Sequence, residues 1–327
     1  MIKEMLPTFC FGKLPAFNDF VRCNATSREA QTFDQWLQQG LLAAQGQAGP
    51  RWETIYAHAP VCAFLFYPEN ARQFLVGVFK TSRDKTERKF PFLVSLQVNM
   101  DVFDMRFRLF APVIFQTFLE NASGWVGGNP NPGDSQEIAW QVEQFSQPVP
   151  ENYLTTIKAY RDYLSATTAE RFWISQFGSF EDPRKYLLFK NLTDILLPLR
   201  QRDLSRFAIG LRFPLESEPQ EIRPRIFLIC FWQEVVLQLL GNPALLPVLF
   251  WTVSEDIRPA YLYLYFRPPG AKDFLHFIYP EHDSDTLCKV DSLGKELLEQ
   301  AKRGLAPKYM FLLDSRPVSM ADFLKRL

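Results

Sequence analysis

Four charged side chains, Lys13, Asp19, Asp84 and Arg88, stand where the local sequence suggests more than a solvated face. Lys13 and Asp19 belong to Phe11-Gly12-Lys13-Leu14-Pro15-Ala16-Phe17-Asn18-Asp19-Phe20-Val21, a β-prone run interrupted by Gly12, Pro15 and Asn18-Asp19. Glycine opens backbone angles closed to other residues, proline fixes φ, and asparagine tolerates φ > 0. A lysine on such a detour has the chemistry to meet a phosphate or a carboxylate. The run lacks the glycine spacing and Ser/Thr of a phosphate loop, so a surface or packing lysine is the expectation. Asp19 follows the turn and is expected to cap a helix or bind free backbone N–H groups. Asp84 and Arg88 lie in a basic stretch with Lys80, Arg83, Lys85, Glu87 and Lys89. That stretch reads as a solvated loop with an Asp84–Arg88 pair, or as an edge that docks an anion or partner through arginine forks. Convergence of all four groups in a cleft would make an enzyme site; separate pairs or caps would make them structural.

Other catalytic chemistry has little support. The chain has three histidines, and His58 stands alone. His276, Glu281, His282, Asp283 and Asp285 share a short window but lack the i, i+4 histidines of a zinc helix, so no metal site is expected. No GxSxG, GxGxxG or paired-aspartate phosphatase pattern occurs. We expect no catalytic residue, no cofactor and no metal.

Thirty-six basic residues balance 36 acidic ones, so no net field draws the chain to nucleic acid or anionic lipid. Apolar residues at 47% describe a folded protein, and 31 phenylalanines predict aromatic-rich cores. Cys10, Cys23, Cys62, Cys230 and Cys288 are odd in number and scattered, which suits a reducing cytoplasm. The start lacks an apolar segment with a cleavage site, which argues against export. The apolar stretch 226–251 is broken by Gln233-Glu234 and Gly241-Asn242-Pro243, so it predicts a buried helix then a strand, not a membrane span.

Positioning these groups requires a scaffold. Thr26-Ser27-Arg28-Glu29 reads as a capping box opened by Thr26, before a helix of about four or five turns bearing Phe33, Trp36, Leu37, Leu41 and Ala44 and ended by residues 45–50. Strands are predicted over 61–67, 72–80 and 90–98, the first two joined at Pro68-Glu69-Asn70, and a helix over 100–119. Ser123–Asp134, with four glycines and two prolines, reads as a linker. Residues 136–206 look helical; beyond them, strands at 207–213, 246–252 and 261–267 and helices at 224–240 and 268–277 make a second α/β unit. The expected division is 1–135 and 136–327.

Three motifs in order carry a family resemblance. Phe11–Val21, Asp34-Gln35-Trp36-Leu37, and Ser82-Arg83-Asp84 leading to Arg88-Lys89-Phe90-Pro91 resemble the start of the TagF (ImpM) proteins of bacterial type VI secretion. A looser likeness continues in Pro247–Thr252 and Pro268-Pro269. The resemblance implies an α/β (α+β) fold: a longin- or profilin-like antiparallel sheet flanked by helices, a helical segment, and a smaller second α/β unit. It also implies a non-catalytic cytoplasmic regulator that represses assembly post-translationally by binding the forkhead-associated scaffold protein, with no nucleic acid and no membrane insertion. An enzyme built on Asp19, Lys13, Asp84 and Arg88, or a structural adaptor of the apparatus, are the alternatives. Gly12, Lys13, Pro15, Asn18, Asp19, Trp36, Ser82, Asp84, Arg88, Phe90 and Pro91 are the motif or partner-binding candidates. Two positions depart from the motif: Asn18 and Glu87 replace glycines. Asparagine can hold a left-handed backbone, whereas glutamate does so at a cost, so the 81–89 loop is expected to take a different path.

Overall fold

The strands of this protein lack clean polar alternation because both of their faces are covered. Every residue of Cys62–Phe66 is buried, as is every residue of Val248–Thr252. The computed structural model describes residues 5–69, 71–102, 105–148, 152–215, 225–253, 259–291 and 295–327. Asn70 and Pro224, named in the predicted hairpin and helix, lie outside them.

In chain order the strands are β1 (Met5–Leu6), β2 (Thr8–Gly12), β3 (Val21–Cys23), β4 (Cys62–Phe66), β5 (Gln73–Lys80), β6 (Phe92–Asn99), β7 (Gln147–Pro148), β8 (Gly210–Pro214), β9 (Val248–Thr252), β10 (Tyr261–Tyr265) and β11 (Leu287–Lys289). One nine-stranded sheet runs β11-β8-β10-β9-β4-β5-β6-β2-β3, and β1 pairs with β7 apart from it. Its pairs are antiparallel except β11 with β8. The seam between the two halves of the chain is β4 against β9, in the register Cys62↔Thr252 to Leu65↔Leu249. The strands expected in two units therefore share one ladder.

The helices are α1 (Arg28–Ala48), α2 (Trp52–Ala57), α3 (Met105–Arg108), α4 (Ala111–Ile114), α5 (Gln116–Gly127), α6 (Ser135–Glu143), α7 (Tyr153–Ala166), α8 (Ala169–Phe177), α9 (Arg184–Leu196), α10 (Arg225–Leu240), α11 (Phe274–Ile278), α12 (Lys295–Gly304), α13 (Pro307–Asp314) and α14 (Met320–Lys325). Helix α1 begins one residue later than the capping box predicts: Ser27, not Thr26, accepts the Ala30 N–H. It also runs past Gly46 to Ala48, because only at Gly49-Pro50 does the backbone leave the helix. The predicted 100–119 helix is split into α3, α4 and α5, and α5 continues through Gly124 and Gly127 into the expected linker. That leaves the connection to α6 at 128–134, with Asp134 capping α6. Beyond residue 277, where the sequence reading places no element, the chain holds β11 and the last three helices.

Helix α10 is apolar on all sides because it is enclosed. Its one carboxylate, Glu234, accepts the Tyr160 hydroxyl at 2.6 Å and the Arg161 guanidinium at 2.9 Å. Among the described residues no helix is long and apolar enough to cross a membrane. Trp36, 8% exposed, packs at the junction of the halves against Phe33, Phe66, Phe250, Phe274 and Phe277.

Candidate functional site

Strands β2 and β3 form a hairpin whose connection, residues 13–20, carries the first motif. Pro15 occupies the second position of a turn closed by Phe17 N–H to the Leu14 carbonyl at 3.1 Å. Gly12 has φ = 133°, and a Cβ there would stand 2.1 Å from the Pro91 carbonyl oxygen. The first and third motifs thus meet at a spot that admits only glycine. Asn18 is not left-handed; among the described non-glycine residues only Asn24, Glu87 and Asn129 have positive φ. Its carbonyl instead accepts the Arg88 guanidinium.

Asp84 ties the two loops together. One carboxylate oxygen accepts from the Thr86 N–H (2.9 Å), the Thr86 hydroxyl (2.8 Å) and the Arg88 N–H (2.9 Å). The other accepts from Lys13 Nζ and Arg88 Nε, both at 2.7 Å. Backbone bonds add to this: Asp84 N–H to the Arg88 carbonyl and Lys85 N–H to the Phe17 carbonyl. Burial pushes this 1% exposed carboxyl up, but hydrogen bonds from Lys13, Thr86 and Arg88 outweigh it and hold the group well below the usual carboxylate range. Lys13 is therefore a partly buried partner of Asp84, the packing lysine of the two roles expected and not the surface one. Glu87, contrary to the expectation of an altered path, occupies the left-handed region at φ = 65°. Its N–H donates to the Asp84 carbonyl, and its carboxylate pairs with Arg83 at 2.8 Å.

The motif residues divide sharply by depth. Gly12, Trp36, Asp84, Phe90 and Pro91 are buried, Lys13 and Ser82 are half-buried, and Pro15, Asn18, Asp19 and Arg88 are exposed. Trp36 is thus a core residue, unavailable to a partner in the folded chain. Asp19 caps no helix: its side chain is in solvent, 3.8 Å from Arg88. Ser82 serves through its backbone, its carbonyl accepting the Tyr56 hydroxyl at 2.8 Å. Beside Asp19, Phe20 is 38% exposed and stacks on Phe11 and edge-on to Phe90. Arg22, which the sequence reading passed over, lies across Phe11 and Phe20 and pairs with Asp34 of the second motif. Its signal was available: a cation just after the aromatic motif, facing an aspartate on a helix otherwise apolar at that face.

The four charged groups do come together, with Asp84 at their centre. A void lined by Leu14, Pro15, Ser82, Phe92 and Asn129 among others, and by none of the four, measures about 10 Å³. That is roughly room for one water. A larger recess of about 630 Å³, lined by Arg28, Glu29, Thr32, Arg72 and Gln73, lies at the other end of β5. At the far side of the sheet His276 is buried against Asp273 and Thr286, and Asp283 pairs with Lys289. No three His, Cys, Asp or Glu among the described residues are arranged to hold a metal.

Comparison with curated proteins returns no match. Among solved structures the chain is similar to PA0076 from Pseudomonas aeruginosa PAO1, with a TM-score of 0.50 and 17% identity over 88% of this chain and 100% of that one. The likeness is one of fold: a mixed α/β arrangement with a large antiparallel sheet flanked by helices. Residues 9–126, which hold all three motifs, match the TagF N-terminal domain, described as type VI secretion system-associated.

Proposed function

We propose that the protein is a non-catalytic, cytoplasmic regulator that represses type VI secretion post-translationally by occupying the forkhead-associated scaffold protein. The family match of residues 9–126 carries the reading. The site geometry supports it: both oxygens of Asp84 are engaged by Lys13, Thr86 and Arg88, so the charged centre is spent on joining two loops. What remains outward is a rim of Asn18, Asp19, Phe20 and Arg88, an aromatic edge flanked by opposite charges. Such a patch suits protein recognition. Deleting the gene in its host should raise secretion; lost secretion would instead favour the adaptor reading. A pull-down with the scaffold protein should weaken with Asp19→Ala and Arg88→Ala while circular dichroism stays unchanged. Undiminished capture by both variants would remove this rim from the binding face.

The convergence of Lys13, Asp84 and Arg88 is the one observation that favours an enzyme. Against it, both oxygens of the Asp84 carboxylate are already engaged by five donors, which leaves it poorly placed to take a proton.

A further inference from the structure

Cys10 and Cys23, on the two arms of one hairpin, stand directly opposite one another in the β2–β3 register. Opposed residues of an antiparallel pair have Cα separations of about 4.5 or 5.5 Å. Both values fall within the roughly 4.4–6.8 Å that a disulfide spans. The two thiols are free, with Cys10 buried and Cys23 half-buried on the terminal strand of the sheet. The neighbouring Cys10 thiol pulls Cys23 below the ordinary thiol value against the upward push of burial. The proximity of Cys23 and burial push Cys10 well up. One sulfur is thus disposed to attack and its neighbour stands ready to resolve. Cys288, also half-buried, has its thiol pushed up by burial and lacks such a partner in register.

We propose that Cys10 and Cys23 form a reversible modification site, a dithiol that a hydroperoxide closes into an intrachain disulfide. The Cys23 thiolate attacks the terminal oxygen of the hydroperoxide; the O–O bond breaks and the alcohol leaves after taking a proton. The resulting Cys23 sulfenic acid is attacked by the Cys10 sulfur, the S–S bond forms, and the S–O bond breaks. Hydroxide departs as water with the Cys10 proton. Two thiols and one hydroperoxide become one disulfide, one alcohol and one water, and a reducing thiol reverses the sum. The bond would pin together the strands from which the Lys13–Phe20 connection springs, clamping the candidate rim at its base.

The test is peptide mapping of the full chain after stoichiometric hydrogen peroxide. Trypsin cuts after Lys3, Lys13, Arg22 and Arg28, so closure joins peptides 4–13 and 23–28 into one species two hydrogens lighter than their sum. Dithiothreitol should split it. Before oxidation, iodoacetamide at neutral pH should label Cys23 roughly tenfold faster than Cys288. In Cys10→Ser, dimedone should trap a Cys23 sulfenic acid and the linked species should vanish. The proposal is overturned if wild-type Cys23 accumulates as sulfinic acid, links to a second chain, or stays reduced.

Discussion

Asp84 and Asp273 are sequestered to the same degree, 1% and 4% exposed, and each organises a turn at one flank of the same sheet. Asp84 faces Lys13 and Arg88, and its carboxyl is held down despite burial. Asp273 accepts the Gly270 N–H at 2.7 Å and the Thr286 hydroxyl at 2.6 Å, two neutral donors. The nearest imidazole, His276 at 3.7 Å, is kept neutral because burial pulls its pKa down to about 3. There burial prevails and the Asp273 carboxyl is pushed up, with the Thr286 and Gly270 bonds only tempering it. Burial sets the direction of a carboxylate shift unless cations at contact distance reverse it. The Asp84 turn is thus an ionic clamp between two loops, and the Asp273 turn a cap held by neutral donors.

Replacing each aspartate by asparagine should separate them most. Asp84→Asn leaves Lys13 partly buried without its counter-charge and should cost about 3–5 kcal/mol. Asp273→Asn keeps an acceptor and should cost about 1 kcal/mol or less. Urea unfolding measures both, and equal losses would dissolve the distinction. The signs with pH should also oppose. Asp84, depressed in the folded state, contributes stability that is present above the unfolded carboxylate value and lost as pH falls through the folded one. Asp273, raised in the folded state, holds its proton longer when folded, so stability falls as pH rises from the unfolded value through the folded one. The acid limb of stability against pH should be visibly reduced below about pH 4 in Asp84→Asn but kept in Asp273→Asn.

A smaller effect sharpens the cause. Lys13→Met retains the aliphatic stem but removes one of the two cations, and should cost about 1–3 kcal/mol. The acid limb should then shift to higher pH, because Asp84 moves back toward an ordinary carboxylate. An unmoved limb would mean that Arg88 and the Thr86 donors suffice alone.

Much of this contrast was legible in the chain. The Asp84–Arg88 pair, the hairpin β4–β5 and the helix bearing Trp36 follow from local spacing, because each depends on residues a turn or a hairpin apart. The role of Lys13 did not, since its partner lies 71 positions away and local sequence reports no long-range ladder. The same limit hid the β4–β9 seam: strand-forming runs state that they pair, not with which strand, when both faces are apolar. The linker reading began too early for a local reason. The glycines at 124 and 127 sit in a helix already fixed by its buried face at Phe118, Leu119, Ala122 and Val126, and packing overrides propensity.

Glu87 is the last point of difference between the two turns, and it concerns backbone instead of charge. The Asp84 turn forces a β-carbon-bearing residue to φ = 65°, whereas Gly270, which opens the Asp273 turn, sits at φ = −74° where any residue fits. A left-handed non-glycine residue costs on the order of 1 kcal/mol, so the donors converging on Asp84 must be imposing that geometry. Glu87→Gly should therefore stabilise the protein by up to about 1 kcal/mol, reduced by the lost Arg83 pair and by the freer unfolded chain. Gly270→Ala should change little, within about 0.5 kcal/mol, since the added Cβ meets only an Asp273 oxygen at 3.6 Å. Thermal melts of the two variants give the sign. If Glu87→Gly destabilises, the Arg83–Glu87 pair outweighs the strain, and the loop owes its shape to surface charge as well as to the buried clamp.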